Sequence, residues 1–146
     1  MRTLNWLLIS AVVGASGCSP TYLEDLKTPA LVWTQSTGLC SKILAVDANS
    51  TVWTNTGCED GRPELDEVRT ATQAQADDLW TKFDALLPFD QGATLESCAG
   101  HVLNGFDRWE GQSRSGASAC GGTQYDDVSS LPDAFMPLAD ALRSLE

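Results

Sequence analysis

The chain is poor in basic residues and contains a single histidine, His101. Nine Lys and Arg stand against twenty Asp and Glu, which gives a formal net charge of −11 and a pI near 4.3. Proteins that bind nucleic acid or anionic lipid headgroups present basic patches, so this charge balance argues against both partners. A nucleophilic triad needs a base. The sequence offers a single histidine for that role, which argues against such a triad.

The common ligand-binding motifs are also missing from the sequence. No Cys-x-x-Cys spacing supports a zinc site, and Gly121-Gly122 precedes Thr123 where a P-loop would have lysine. Asp47–Thr51 resembles the start of an EF-hand loop, but Val52 replaces its glycine and Cys58 its final glutamate. We therefore expect no metal, cofactor or phosphate site.

Pairs of adjacent carboxylates include Glu59/Asp60, Asp66/Glu67, Asp77/Asp78 and Asp126/Asp127. Glycosidases need two carboxylates across a cleft, one of them with a raised pKa. Since each pair consists of sequence neighbours in a predicted loop or on a helix face, we interpret the pairs as solvated charge. His101, which lies three residues after Cys98 on a predicted strand, is interpreted as a surface residue. No catalytic residue is predicted, and a carboxylate-based enzyme is the less favoured alternative.

The N-terminal residues have the pattern of an export signal. Arg2 is the only charged residue among the first 23, and it precedes an apolar run, Trp6–Val13, and four small residues, Gly14–Gly17. A basic start, a short apolar stretch and a small-residue end predict a secretory signal peptide over residues 1–17, which is cleaved. The apolar run is shorter than the roughly 20 residues that span a bilayer.

The segment Gly14-Ala15-Ser16-Gly17-Cys18 resembles the lipobox of bacterial lipoproteins. The resemblance implies cleavage before Cys18 and a diacylglyceryl group, with acyl chains such as palmitate, on the Cys18 sulfur. Ser19 stands where aspartate would imply retention in the inner membrane, so the periplasmic side of the outer membrane is expected. More than one acyl chain makes a stable membrane anchor. Residues 18–29 would then be the lipidated cysteine and a short tether, and a freely secreted protein is the alternative.

With Cys18 assigned to lipid, an even set of four cysteines remains: Cys40, Cys58, Cys98 and Cys120. In an exported chain such a set predicts disulfides, and three connectivities are possible. A hairpin that turns at Asp47–Ser50 places Cys40 opposite Cys58, within disulfide distance. Cys98 and Cys120 lie near the open end of a second hairpin, where a bulge would be needed. We predict the pairs Cys40–Cys58 and Cys98–Cys120.

Residues 30–146 are predicted to form one α+β domain. The predicted strands are Ala30–Gln35, Cys40–Asp47, Thr51–Thr56, Cys98–Trp109 and Ser113–Cys120, and the helices are Thr72–Leu87 and a short one from Pro137. The order β-β-β-α-β-β-α predicts an antiparallel sheet of about four to five strands with both helices on one face. Glu59–Arg69 is predicted to be an acidic loop.

Both faces of the first hairpin carry apolar residues. Trp53 shares a face with Ile43 and Ala45, opposite the face of Leu44 and Val46. One face must be the core. The other is either covered by helices, tether or loops, or exposed as a surface that binds another protein.

The order of these elements resembles emfourin, a small bacterial protein inhibitor of thermolysin-type metalloproteases. The shared features are a turn at Gly38, the strand end Val52-Trp53-Thr54, the helix end Leu86-Leu87-Pro88-Phe89 and the closing Leu131-Pro132 … Met136-Pro137-Leu138 … Leu142 … Leu145. The cysteines are an addition to that pattern. The lipobox, the missing catalytic groups and the possible second apolar face predict a non-enzymatic, lipid-anchored envelope protein that binds a protein partner. The resemblance implies a protease as one specific partner. The alternative is a structural envelope lipoprotein without a soluble partner.

Overall fold

Six antiparallel strands form one sheet in the computed structural model, which describes residues 19–38, 40–58, 62–86 and 92–146. The strands are β1 Ala30–Ser36, β2 Ser41–Val46, β3 Thr51–Gly57, β4 Asp66–Thr70, β5 Leu103–Glu110 and β6 Ser113–Cys120. Their order across the sheet is β4-β3-β2-β1-β5-β6, and the helices are α1 Gln73–Asp84 and α2 Met136–Arg143. The α+β class is confirmed, but six strands replace the predicted four to five.

The additional strand is β4, at one edge of the sheet. It lies in a region predicted as a loop, and all five of its residues are exposed. β4 pairs with β3 through its backbone and carries no buried apolar side chain, so the hydrophobic pattern that marks strands in a sequence is missing there. Charged residues on an exposed edge also discourage pairing with another chain.

The first hairpin has the predicted register. Val46 pairs with Val52 and Lys42 with Thr56, and the ladder ends at the pair Ser41 and Gly57. Cys40 and Cys58 come directly after that pair and form a disulfide. The buried Asp47 carboxylate closes the turn: it accepts hydrogen bonds from the backbone N–H of Thr51 at 3.0 Å and from the Trp53 indole N–H at 3.2 Å. The residue that begins the apparent EF-hand motif is thus a structural acceptor of the turn.

The second hairpin differs from its prediction at one end. β5 begins at Leu103, and Cys98 and His101 lie in a turn before it, not on the strand. Cys98 forms a disulfide with Cys120, and since Cys98 is outside the ladder no bulge is needed. At the other end Gly111 has a φ of +62°, the conformation that a two-residue hairpin turn with glycine in first place requires.

The inner face of the sheet holds the main core. Its strand residues pack against α1, α2 and the segment that leads to α2 through Leu79, Phe83, Phe135 and Leu142, all buried. Trp33 of β1 stacks on Phe106 of β5 with ring centroids 5.4 Å apart. The following list gives other buried members: Leu31, Leu44, Val46, Val52, Leu138 and Leu145. α1 begins at the predicted capping box, in which Thr72 and Gln75 exchange hydrogen bonds.

The outer face is covered over β1, β2 and β3 by the N-terminal segment 19–29. Leu26, which is 6% exposed, and Leu23 pack with Val32, Ile43 and Trp53. The sequence predicts a short tether here, whereas residues 19–29 pack on the sheet. Two backbone hydrogen bonds dock its ends on the sheet: the Leu65 N–H donates to the Thr21 carbonyl at 2.7 Å, and the Ala48 N–H donates to the Lys27 carbonyl at 2.8 Å.

Candidate functional site

A polar groove lies on the outer face of the sheet, beside the part that segment 19–29 covers. Its cavity of about 410 Å³ is lined by residues of β1, β5 and β6 and by Gly92. The residues that define it, called here the outer groove, are Thr34, Ser36, Gly105, Asp107, Arg114 and Gly116. Val32 of the covered region pairs directly with Asp107, so the groove begins where the docked segment ends.

Two glycines give the groove a floor of bare backbone. Gly105 lies two residues before Asp107 on β5, and Gly116 pairs with Asp107 from β6, so both share its face. A Cβ at Gly116 would lie 2.0 Å from the Phe106 carbonyl oxygen, whereas one at Gly105 would meet nothing closer than the Asp107 carboxylate at 3.5 Å. Glycine inside a strand marks a place where a ligand or another chain can approach the backbone closely.

Asp107 is the carboxylate of the groove. Within the described part of the chain its carboxylate forms no hydrogen bond or ion pair, and it is half-buried. Burial raises the pKa of Asp107 above its ordinary value because desolvation penalises the charged form, and the Arg114 charge partly opposes this. A half-buried charge without a partner is unfavourable, so this carboxylate favours the binding of a cationic group.

Arg114 supplies the positive charge of the groove. Its guanidinium carbon lies 3.8 Å from the centre of the Trp109 ring, which faces it from the neighbouring strand. Stacking on the indole holds the guanidinium plane in place while its N–H groups remain available to an anion. The groove therefore offers an anion and a cation side by side over exposed backbone.

A buried polar network holds β1 and β5 together on the opposite face. Asn104, which is 0% exposed, accepts hydrogen bonds from the Trp33 indole N–H at 3.1 Å and from the Gln35 amide at 3.2 Å. Its own amide donates to the Gly121 carbonyl at 3.1 Å. Because β1 and β5 carry one wall of the groove, this network fixes the strands on which Asp107 stands.

Asp107 is the one carboxylate among the described residues that line the groove, whereas glycosidase chemistry uses two. The sequence patterns did not single out Asp107, because one charged residue in a polar strand is unremarkable. The signal that could have found it is the pair of strand-interior glycines, which become neighbours of Asp107 only once the hairpin register is known.

The predicted acidic pairs lie outside the outer groove. Asp126 forms an ion pair with Lys42 at 2.6 Å. Asp127 accepts hydrogen bonds from the Ser129 side chain and from the backbone of Thr123, which lower its pKa to about 2. The two residues therefore order the loop before α2, whereas the sequence predicts only solvated charge for this pair.

The other described acidic pairs contact nearby surface residues or are exposed, and none of these contacts involves the outer groove. Asp77 accepts a hydrogen bond from Gln73 at 2.7 Å, and Asp78 forms an ion pair with Lys82, both along α1. Asp66/Glu67 are exposed on β4, and Glu59/Asp60 lie outside the described residues.

His101 is exposed, at the end of the turn that Cys98 begins. Among the described residues, no group of three His, Cys, Asp or Glu is placed to hold a metal ion, and no helix is long and apolar enough to cross a membrane. The predicted lipidation residue Cys18 and the signal peptide lie outside the described residues.

No protein-family model matches the chain, and the search of curated proteins gives no match either. The lipobox and the likeness to emfourin therefore depend on the residues quoted for them, and the outer groove is defined by this structure alone.

Proposed function

We propose that the chain is an exported lipoprotein, anchored through Cys18, whose domain binds a segment of another protein in the outer groove without catalysing a reaction. The observation that carries the binding proposal is the half-buried Asp107 carboxylate, unpaired within the described residues, between Gly105 and Gly116. The export and lipid proposals are supported by the sequence pattern that ends at Cys18.

The groove chemistry specifies what the partner segment should carry. Gly105 and Gly116 have no side chain of their own that would hold an extended chain away from the backbone, and the Asp107 carboxylate lies close to both. A lysine or arginine of the partner would neutralise Asp107, and an acidic side chain would pair with Arg114. Charged hydrogen bonds of this kind are stronger than neutral ones and fix the register of the bound segment.

The proposal predicts crosslinking from the groove in the native cell envelope. A photo-crosslinking amino acid in place of Ser36 should give a protein adduct of one defined mass. The same residue in place of Gln73, exposed on α1, is the matched control and should not give it. Adding Asp107→Asn to the Ser36 crosslinking variant should reduce the adduct at least tenfold, because the amide cannot neutralise a cation. Adduct mass and yield are read by blotting and mass spectrometry.

Two results would contradict the binding proposal. One is the absence of any Ser36 adduct while the protein is folded and present at normal level. The other is an adduct with the same mass and yield from Ser36 and Gln73, or one that Asp107→Asn leaves unchanged. A conservative second variant, Asp107→Glu, keeps the charge and should retain part of the adduct.

A further inference from the structure

Segment 19–29 is too firmly docked to act as a flexible tether. Besides the hydrogen bonds at Thr21 and Lys27, the Arg62 guanidinium lies 4.2 Å from the centre of the Tyr22 ring and forms an ion pair with Glu24. Leu26 is buried among the apolar residues of the outer face, such as Val32 and Ile43. Chain that is held at both ends and in its middle cannot swing relative to the sheet.

The docking point sets how far Cys18 can lie from the domain. Cys18 is three residues before Thr21, and three extended residues reach at most about 11 Å. Thr21 bridges to Leu65, the residue before β4. A lipid on the Cys18 sulfur would therefore enter the bilayer close to the β4 edge of the sheet.

The outer groove lies on the same face of the sheet but toward the opposite edge. In the order β4-β3-β2-β1-β5-β6 the groove strands are three to five positions from β4. At about 4.8 Å per strand this separates the groove from the β4 edge by about 14 to 24 Å. All three groove strands therefore lie farther from the β4 edge than the reach of residues 18–20, about 11 Å.

The β4 edge itself is acidic. Its exposed carboxylates are Glu24, Asp25, Glu64, Asp66 and Glu67, and Arg62 and Arg69 are the cations beside them. Anionic headgroups repel such a surface, so charge does not draw this edge to the bilayer. The acyl chains and the short docked segment would have to hold it there.

We propose that the β4 edge is the membrane-facing surface of the anchored protein, so that the outer groove points away from the bilayer toward its partner. This rests on the lipid anchor of the proposed function and adds the orientation of the domain. The surface that docks is defined by Thr21, Tyr22, Arg62 and β4, and its partner is the lipid headgroup layer.

The orientation is measured with a fluorophore at either edge of the sheet. In the native lipoprotein, Cys18 would be blocked by lipid and the other four cysteines are in disulfides, so one new cysteine can be labelled selectively. Val68→Cys labels the exposed β4 edge, and Ser113→Cys labels the exposed β6 edge. After reconstitution into neutral phosphatidylcholine vesicles that contain a headgroup quencher, label at position 68 should be quenched at least twice as strongly as label at 113.

A ten-residue Gly-Ser insertion between Ser19 and Pro20 is the control, since it lengthens the link without touching the docked residues. It should remove the difference between positions 68 and 113. Equal quenching at both positions without the insertion, or stronger quenching at 113, would overturn the orientation. Failure of the anchor itself is seen separately, because an unmodified Cys18 shows in the intact mass and the protein does not partition into vesicles.

Discussion

Replacing Gly116 by alanine should destabilise the domain by about 3 kcal/mol, although the change adds a single methyl group. The added Cβ would lie 2.0 Å from the Phe106 carbonyl oxygen and 2.8 Å from the Asp107 Cα. Both are backbone atoms of the paired strand, so they cannot rotate away as a side chain could. The hairpin β5–β6 must separate locally, which disturbs the packing of the buried Phe106 ring against Trp33.

Gly105→Ala is the matched control, because Gly105 lies on the same face of the same hairpin. Its nearest contacts would be the Asp107 carboxylate at 3.5 Å and the Thr34 carbonyl at 4.0 Å, which are ordinary distances. Alanine also restricts the unfolded chain, so stability should change by less than about 1 kcal/mol. Urea unfolding followed by tryptophan fluorescence measures both variants. Equal midpoints for the two would contradict the hairpin geometry on which the outer groove depends.

Asn104→Ala should lower the free energy of unfolding by about 3 to 4 kcal/mol. This is more than the loss expected when an exposed side-chain amide is removed. The change leaves the Trp33 indole N–H and the Gln35 amide without their acceptor, and the Gly121 carbonyl without a donor. Each unpaired polar group in the interior costs about 1 to 3 kcal/mol. Since Asn104 is fully buried, water can replace these partners only by opening the sheet.

Asn55→Ala provides the comparison for that variant. Asn55 donates to the Glu64 carbonyl at 2.6 Å but is only half-buried, so water can take over the hydrogen bond. We expect a loss below about 1 kcal/mol. Thermal unfolding with the disulfides intact measures both variants. If Asn104→Ala and Asn55→Ala gave the same loss, the network would not be what holds β1 to β5.

The strongest sequence signals were local. The turn residues Asp47–Ser50 between two β-rich runs predicted the register of the first hairpin, and the same register paired Cys40 with Cys58. The capping box at Thr72 placed the start of α1. Each of these signals arises within about twenty residues of chain, so neighbouring residues were enough to specify it.

The features that sequence reasoning missed depend on distant residues or on the backbone. β4 has no buried side chain, so only its backbone pairing with β3 defines it. Asn104 is recognisable as a structural residue only once Trp33 and Gln35, far away in the chain, are seen to surround it. The docking of segment 19–29 likewise depends on Ala48 and Leu65, which no local pattern connects to it.

Inhibition of a thermolysin-type protease, which the likeness to emfourin implies, stays a prediction. The outer groove is defined without it. The central proposal concerns the fate of the cysteines, because a lipid on Cys18 would set the compartment in which the other four oxidise and would fix the end of the docked segment.

Intact-mass analysis of the protein extracted from membranes without reductant tests that claim most directly. We expect a chain that begins at Cys18, carries a diacylglyceryl group on that residue and has four hydrogen atoms fewer than the reduced form, from the bonds Cys40–Cys58 and Cys98–Cys120. A chain with an unmodified Cys18, or with thiols at the other four positions that react with iodoacetamide before reduction, would contradict it.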